Sequence, residues 1–322
     1  MRIGRILLFL AAVACSLSVV NYARAAEYPT RPIRWIIGYP PGGASDYLVR
    51  AVSAELEKEL KGTVVIENKP GASGIIAAAA VHQAQPDGYT LLLESDGYFN
   101  NVALGGKFNF DPLDFDYLTR LALIPNVVVV PPSSPIKTIA DLIAAAKKDP
   151  GKLQFASGGV GTGTHIATEM FMERTGTKMM HIPYKGTQAP LLDLAAGRIS
   201  VMFAGASPAL PMIKSGQLRP VAVTSAEPIE ALPNVPPISA TVPGFDQQTW
   251  YVAMAPKGLD PAVKARLVNA MHHALATATV KNGIAKFAFT AAPTSPEEFE
   301  KFLKSTLDNT RAIAKTANIS LH

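Results

Sequence analysis

Short apolar runs alternate with amphipathic stretches along almost the whole chain, and this alternation restricts the fold more than any other feature. The runs are Ile33–Gly38, Thr63–Glu67, Tyr89–Leu93, Asn126–Val130, Leu153–Ala156, Met179–Pro183, Ser200–Ala204, Pro220–Thr224 and Tyr251–Ala255. Most are continuously apolar, as strands buried on both faces of a parallel sheet are. The stretches between them have legible helix ends. Leu48, Val52, Leu56 and Leu60 recur every four residues and predict a helix over about 46–61. Thr138 and Thr164 read as helix starts, and Ser207-Pro208 and Asp260-Pro261 each pair an N-cap with a proline at the first helical position. Ser295-Pro-Glu-Glu298 is a capping box that opens a C-terminal helix. Repeated β-α-β units imply an α/β fold in which ligands bind beyond the carboxyl ends of the strands, where loops enter helices.

Length sets a two-domain prior for 322 residues, and 48% hydrophobic content excludes a disordered chain. A single cysteine excludes a disulfide framework and any cysteine-based zinc or iron–sulfur site. The net charge of +5 points toward nucleic acid or an acidic surface until the first 25 residues are set aside. Arg2 and Arg5 precede an apolar run from Ile6 to Ala14, and Ala23-Arg24-Ala25 fits a cleavage site, so residues 1–25 read as a secretory signal peptide. Cleavage leaves 297 residues and removes three arginines and no acid, so the charge falls to +2. Cys15 leaves with it, and Ala12 in place of the usual leucine argues against a lipid anchor there. No later stretch reaches the ~18 apolar residues of a membrane span. The expectation is an exported, periplasmic protein with no nucleic-acid partner.

Two loops suit an anion. The first strand runs through Tyr39-Pro-Pro-Gly-Gly-Ala-Ser-Asp46 into a helix, and a helix start offers free N–H groups and partial positive charge. Gly42, Gly43, Ala44, Ser45 and Asp46 would cradle a carboxylate or phosphate; Ser45 or Asp46 equally serves as a plain N-cap. The second loop, Ala156-Ser-Gly-Gly-Val-Gly-Thr-Gly-Thr-His165, carries Ser157, Gly161, Thr162, Thr164 and His165 into another helix. His165 alone reads equally as a structural histidine. At the strand end Glu94-Ser-Asp-Gly-Tyr98, Ser95 and Asp96 either meet a ligand donor or hold a turn. Lys185 and the small residues from Ala204 to Ser207 complete the candidates. Neither glycine loop satisfies G-x-G-x-x-G, and the chain holds no G-x-x-x-x-G-K-[ST], G-x-S-x-G or H-E-x-x-H. The six histidines show no metal-ligand spacing, and the adjacent His272 and His273 read as a solvated helix surface. Ser157 with His165 is the one pair that a hydrolase could use.

The ordered set Tyr28-Pro-Thr-Arg-Pro-Ile33, Pro40–Asp46, Val65-Ile-Glu-Asn-Lys-Pro-Gly71, Pro86-Asp-Gly-Tyr-Thr-Leu91, Pro150-Gly-Lys-Leu153, the loop ending in His165 and His181-Ile-Pro-Tyr-Lys-Gly186 resembles the Bug (TctC-like) family of extracytoplasmic solute receptors of tripartite tricarboxylate transporters. The resemblance runs from Tyr28 to Ile319. It implies a type II periplasmic-binding-protein fold: two α/β lobes with mainly parallel sheets, 27–125 plus 249–322 and 126–248, joined by crossings near Asn126 and Gln248. It implies a monomer without catalysis, metal or cofactor that closes on a small carboxylate and presents it to membrane subunits. It places the ligand on the two loops above. Many relatives carry an Asp-Asn pair where Ala204-Gly205 stands here, and its loss argues against an amino-acid ligand. Tyr39, Tyr98, Phe99, Trp250 and Tyr251 suggest stacking on an aromatic acid, so an aromatic or dicarboxylic acid is expected, aromatic slightly ahead. A receptor docking on a signalling partner is the alternative, and a periplasmic hydrolase a more distant one.

Overall fold

The computed structural model describes residues 28–319; the expected signal peptide and Cys15 lie outside the described residues. β1 (Ile33–Ile37) leads into α1 (Ala44–Leu60), then β2 (Val64–Asn68), α2 (Ile75–His82), β3 (Thr90–Ser95) and α3 (Asp96–Ala103). The long β4 (Phe115–Val130) is followed by α4 (Ile139–Lys148), β5 (Gln154–Ser157), α5 (Gly163–Thr175), β6 (Met180–Pro183), α6 (Gln188–Ala195), β7 (Val201–Gly205), α7 (Ala206–Lys214) and β8 (Arg219–Val223). β9 (Gln248–Pro256) returns the chain to α8 (Pro261–Ala276), α9 (Ala278–Ala285), β10 (Thr290–Ala291) and α10 (Pro296–Ala317).

Two sheets share β4. Its first part, through Pro125, pairs with β9 in the order β2-β1-β3-β9-β4-β10; from Asn126 onward it pairs with β7 and β8 in the order β8-β4-β7-β5-β6. One α/β lobe is built on each sheet. The sheets are mixed where mainly parallel ones were expected. The four parallel pairs, β1 with β2 and β3 and β5 with β6 and β7, lie at the flanks. All five antiparallel pairs involve β4 or β9. β4 and β9 run against the direction of the βαβ strands beside them, β4 against β7 and β8 and β9 against β3.

The first part of β4 escaped the strand expectation, which began at Asn126, because Asp116, Thr119 and Arg120 interrupt its apolar run. Tertiary partners make those residues tolerable: Asp116 accepts hydrogen bonds from the amides of Gly258 and Leu259 at 2.8 Å each and from Lys264 Nζ at 3.1 Å. Thr119 Oγ1 and Thr294 O both lie 3.1 Å from His272 Nε2, so that histidine is half-buried in the fold and not on a solvated surface; His273 is exposed, facing Glu59 at 3.3 Å.

Helix starts follow local chemistry with three corrections. Thr138 with Asp141, Asp260 ahead of Pro261, and Ser295 with Glu298 cap as expected. The caps of α1, α5 and α7 are Gly43, Thr162 and Gly205, so Ser45, Asp46, Thr164, Ser207 and Pro208 lie inside the first turns. Gly43 and Thr162 are already extended ahead of α1 and α5, and the side chains of Asp46 and Thr164 go elsewhere. Phe299, Leu303, Leu307 and Ile313 form the buried stripe of α10, which packs on α3 and β4 of the first lobe and on α5 of the second. The last helix therefore touches both lobes.

Candidate functional site

The glycine-rich loop between β5 and α5 is held by its own side chains. Gly159 and Gly161 take φ of 135° and 78°, conformations that suit glycine. Thr162 Oγ1 donates to Gly159 O at 2.7 Å; Thr164 Oγ1 accepts from Gly158 N at 3.1 Å and lies 3.0 Å from Thr162 Oγ1, so its own proton goes to Thr162. Both hydroxyls are spent inside the loop. Gly161 N donates to His165 Nδ1 at 3.1 Å, which puts the ring proton on Nε2, toward Glu169 Oε1 at 3.4 Å. What the loop leaves open is backbone: α5 begins at Gly163, and the amides of Gly163 and Thr164 have no intrahelical acceptor.

Ser157 does not meet His165. Its buried hydroxyl engages His181 Nε2 at 2.6 Å and accepts from Gly159 N at 3.1 Å. His181 stacks on His165 with ring centres 3.9 Å apart and on Phe155 at 4.7 Å. Burial, and then the neighbouring His165, push His181 down to about 4. The one pair a hydrolase could have used, Ser157 with His165, does not form, and Ser157 meets the half-buried His181 instead.

On the first lobe, Asp46 is likewise turned inward. Its Oδ2 accepts from Gly42 N at 3.0 Å and Arg50 Nε at 2.9 Å, and its Oδ1 from Asn68 Nδ2 at 3.2 Å. Burial opposes its charge, but these three donors hold its carboxyl below the ordinary range. The amides of Ala44 and Ser45 at the start of α1 remain free of intrahelical acceptors. Tyr39 engages Ser95 Oγ at 2.7 Å, and Ser95 caps α3 by accepting from Gly97 N at 3.3 Å. Ala204 is fully buried in β7 opposite Val127.

Three first-lobe residues that the sequence reading did not single out face the glycine-rich loop. Ser73, Gly97 and Asn101 line a cavity of about 70 Å³ with Val160, Gly161 and Thr162 of the second lobe. Ser73 stands in a run of four left-handed residues, with φ of 137° at Gly71, 47° at Ala72, 53° at Ser73 and 92° at Gly74. Two non-glycine residues so placed are strained, and such strain gathers at ligand sites. The flanking glycines were the available signal.

Two buried carboxyls stand behind this cavity. Glu94 is fully buried, neither oxygen has a hydrogen-bond partner, and burial raises it well above the carboxylate range. Asp96 is 5% exposed; its Oδ2 accepts from Thr249 Oγ1 at 3.3 Å, and a Cβ placed on Gly163 would stand 2.5 Å from that oxygen. Burial pushes Asp96 up to about 7, against the opposing hydrogen bonds of Thr249, Gly97 and Ser95. Beyond Asp96 a second cavity of about 210 Å³ runs toward the lobe crossings, bounded by Asn100, Ile166, Met170, Gln248 and Trp250. Of the five aromatic residues expected near the ligand, Tyr39 is half-buried against Ser95 and Tyr251 is buried in β9. Tyr98, Phe99 and Trp250 are buried with Phe299 in the first-lobe core, where Phe99 and Trp250 sit 5.0 Å apart.

Two α/β lobes on separate sheets, a strand running through both, and a small cavity closed between a strained loop and a helix start define a two-lobed solute-binding protein. The chain belongs to the family described as the tripartite tricarboxylate transporter family receptor, which it matches over residues 48–319. It is 33% identical over 297 residues to a protein of the tcbD–tcbE intergenic region of a Pseudomonas species, covering 91% of this chain and 88% of that one. It is 29% identical over 325 residues to BugT of Bordetella pertussis, with 100% of both chains covered. Among solved structures, an R. palustris protein with adipate superposes with a TM-score of 0.80 at 30% identity, over 91% of this chain and 99% of that one. The periplasmic binding protein BugD superposes with a TM-score of 0.76 at 28% identity, again over 91% and 99%.

Proposed function

We propose that this protein is exported to the periplasm, captures a small dicarboxylic acid between its lobes and delivers it to the membrane subunits of a tripartite transporter. The lobes divide as 27–125 plus 249–322 and 126–248, and they close about the crossings near Asn126 and Gln248. The observation that carries the reading is the start of α5: Gly161 and the cap Thr162 close a small cavity with Ser73, Gly97 and Asn101 of the other lobe, and the next two amides, of Gly163 and Thr164, have no intrahelical acceptor. Free amides at a helix start suit a carboxylate. The start of α1 supplies Ala44 and Ser45 in the same way. The adipate-bound relative supports an acid of this kind. Burial of Tyr98, Phe99 and Trp250 in the first-lobe core weakens the case for an aromatic acid, leaving Tyr39 and Tyr251 of the five aromatic candidates. Among the described residues no helix is long and apolar enough to cross a membrane, in keeping with a partner that does.

Isothermal titration against citrate, aspartate, adipate, terephthalate and nicotinate tests this reading. Adipate is expected to bind, and Thr162→Val, which unties the loop from Gly159 O, to weaken it about ten-fold, or roughly 1.4 kcal/mol. Binding of aspartate alone, or of nothing in the panel, would sink the assignment.

A further inference from the structure

We propose that His165 is the positioning residue of the ligand loop: its Nδ1, kept free of a proton by Glu169, holds the amide of Gly161 and so sets the start of α5 for the captured carboxylate. The inference rests on the cleft being a carboxylate site and adds to it the side chain that keeps the site in its binding shape.

His165 is buried, it does not line the cavity between the lobes, and both of its ring nitrogens are engaged within its own lobe. What it holds does line that cavity. Gly161 stands there, directly ahead of the cap Thr162 and the free amides of Gly163 and Thr164. The hydroxyls of Thr162 and Thr164 tie down Gly159 O and Gly158 N and leave Gly161 to another partner. Among the described residues that partner is His165, whose Nδ1 accepts from the buried Gly161 N–H at 3.1 Å. A buried amide without an acceptor is costly. A loop deprived of Nδ1 relieves that cost by turning the Gly161 peptide toward water, and the cap moves with it.

A neutral imidazole accepts through one nitrogen only, so the tautomer decides whether this bond exists. Glu169, one turn further along α5, draws the ring proton to Nε2, with its Oε1 3.4 Å away and its side chain turned inward. His181 fixes the plane of the ring. The two imidazoles lie within 12° of parallel with centres 3.9 Å apart, so the ring has no room to tilt away from Gly161 N. His181 is held in turn by Ser157 at 2.6 Å and by its stack on Phe155. Glu169 thus chooses the nitrogen, His181 the plane, and Gly161 receives an acceptor already in place. An orienting acid behind a histidine serves here to shape a backbone and not to move a proton.

The test compares the wild type, His165→Phe and His165→Asn by calorimetric titration with adipate and by urea unfolding. Phenylalanine keeps a flat ring against His181 and lacks the acceptor. Asparagine loses the stack but carries Oδ1 where Nδ1 stood. His165→Phe should keep most of the stability and bind adipate about ten-fold more weakly, the size that an unpartnered buried amide implies. His165→Asn should be the less stable of the two and recover most of the lost affinity. A histidine that only fills space gives the opposite order, with affinity following stability. That order, or a phenylalanine variant that binds as the wild type does, overturns the proposal and leaves the capture function standing. Failure of the wild type to bind adipate overturns both. If neither variant folds, nitrogen NMR of the wild type decides: a proton on Nε2 and coupling from the Gly161 amide nitrogen to Nδ1 are expected, and a proton on Nδ1 overturns the proposal.

Discussion

His181 stacks with His165 and Phe155 and sets its Nε2 on Ser157, and that environment sets its titration. An ordinary histidine titrates near 6.5, whereas the folded chain holds this one neutral down to about 4. The unfolded chain takes up a proton in that interval and the folded chain does not. The contribution to stability is therefore complete above about pH 6.5 and is lost as pH falls toward 4. Going from pH 7.5 to 4.5, the wild type should lose on the order of 1–2 kcal/mol more than His181→Phe, which keeps the stack, a figure discounted for partial exposure. Urea unfolding at the two pH values measures the difference, and equal losses would remove His181 as the cause. The sequence marked His165 as a candidate and passed over His181. Spacing brings His165 to the loop, but only the parallel pairing of β5 with β6 brings His181 beside it.

At the scale of elements, local chemistry was readable wherever a side chain acts within one turn. Ser295 accepts from Glu298 N at 3.1 Å and Glu298 Oε2 from Ser295 N at 2.8 Å, as the four-residue pattern implies. The caps of α1, α5 and α7 lie ahead of the residues the sequence marked, and Asp46 and Thr164 have competing uses that only the fold reveals. The stripe of α10 was likewise visible as a pattern, but not its position against both lobes. Phe299 anchors it, with ring centres 5.3 Å from Tyr117 and 5.5 Å from Trp250. Phe299→Ala should cost about 3–5 kcal/mol, read from the shift in urea midpoint at unchanged slope. A loss below about 1 kcal/mol would mean that α10 rests on the core without completing it.

For the whole molecule the question is closure, and Gly163 is where it can be tested. A Cβ there would stand 2.5 Å from Asp96 Oδ2 and 2.8 Å from Thr249 Oγ1, both on the opposite lobe. Alanine suits the first turn of a helix better than glycine by up to about 1 kcal/mol, so Gly163→Ala should not lower thermal stability. It should hold the lobes apart, weaken adipate at least ten-fold by calorimetry, and remove the ligand-induced fall in radius of gyration seen by X-ray scattering. An alanine variant that contracts on adipate as the wild type does would show that this contact does not limit closure. By itself the sequence determined the α/β class, the helix starts built on capping boxes and the two glycine loops, because those depend on neighbours a few positions apart. The tertiary structure alone decided that the sheets are mixed around β4 and β9, that Tyr98, Phe99 and Trp250 are core, and that Asp96 of one lobe meets the α5 start of the other. Those pairings join residues far apart in the chain, and burial, which raises Asp96 toward neutral pH, exists only once the lobes have come together.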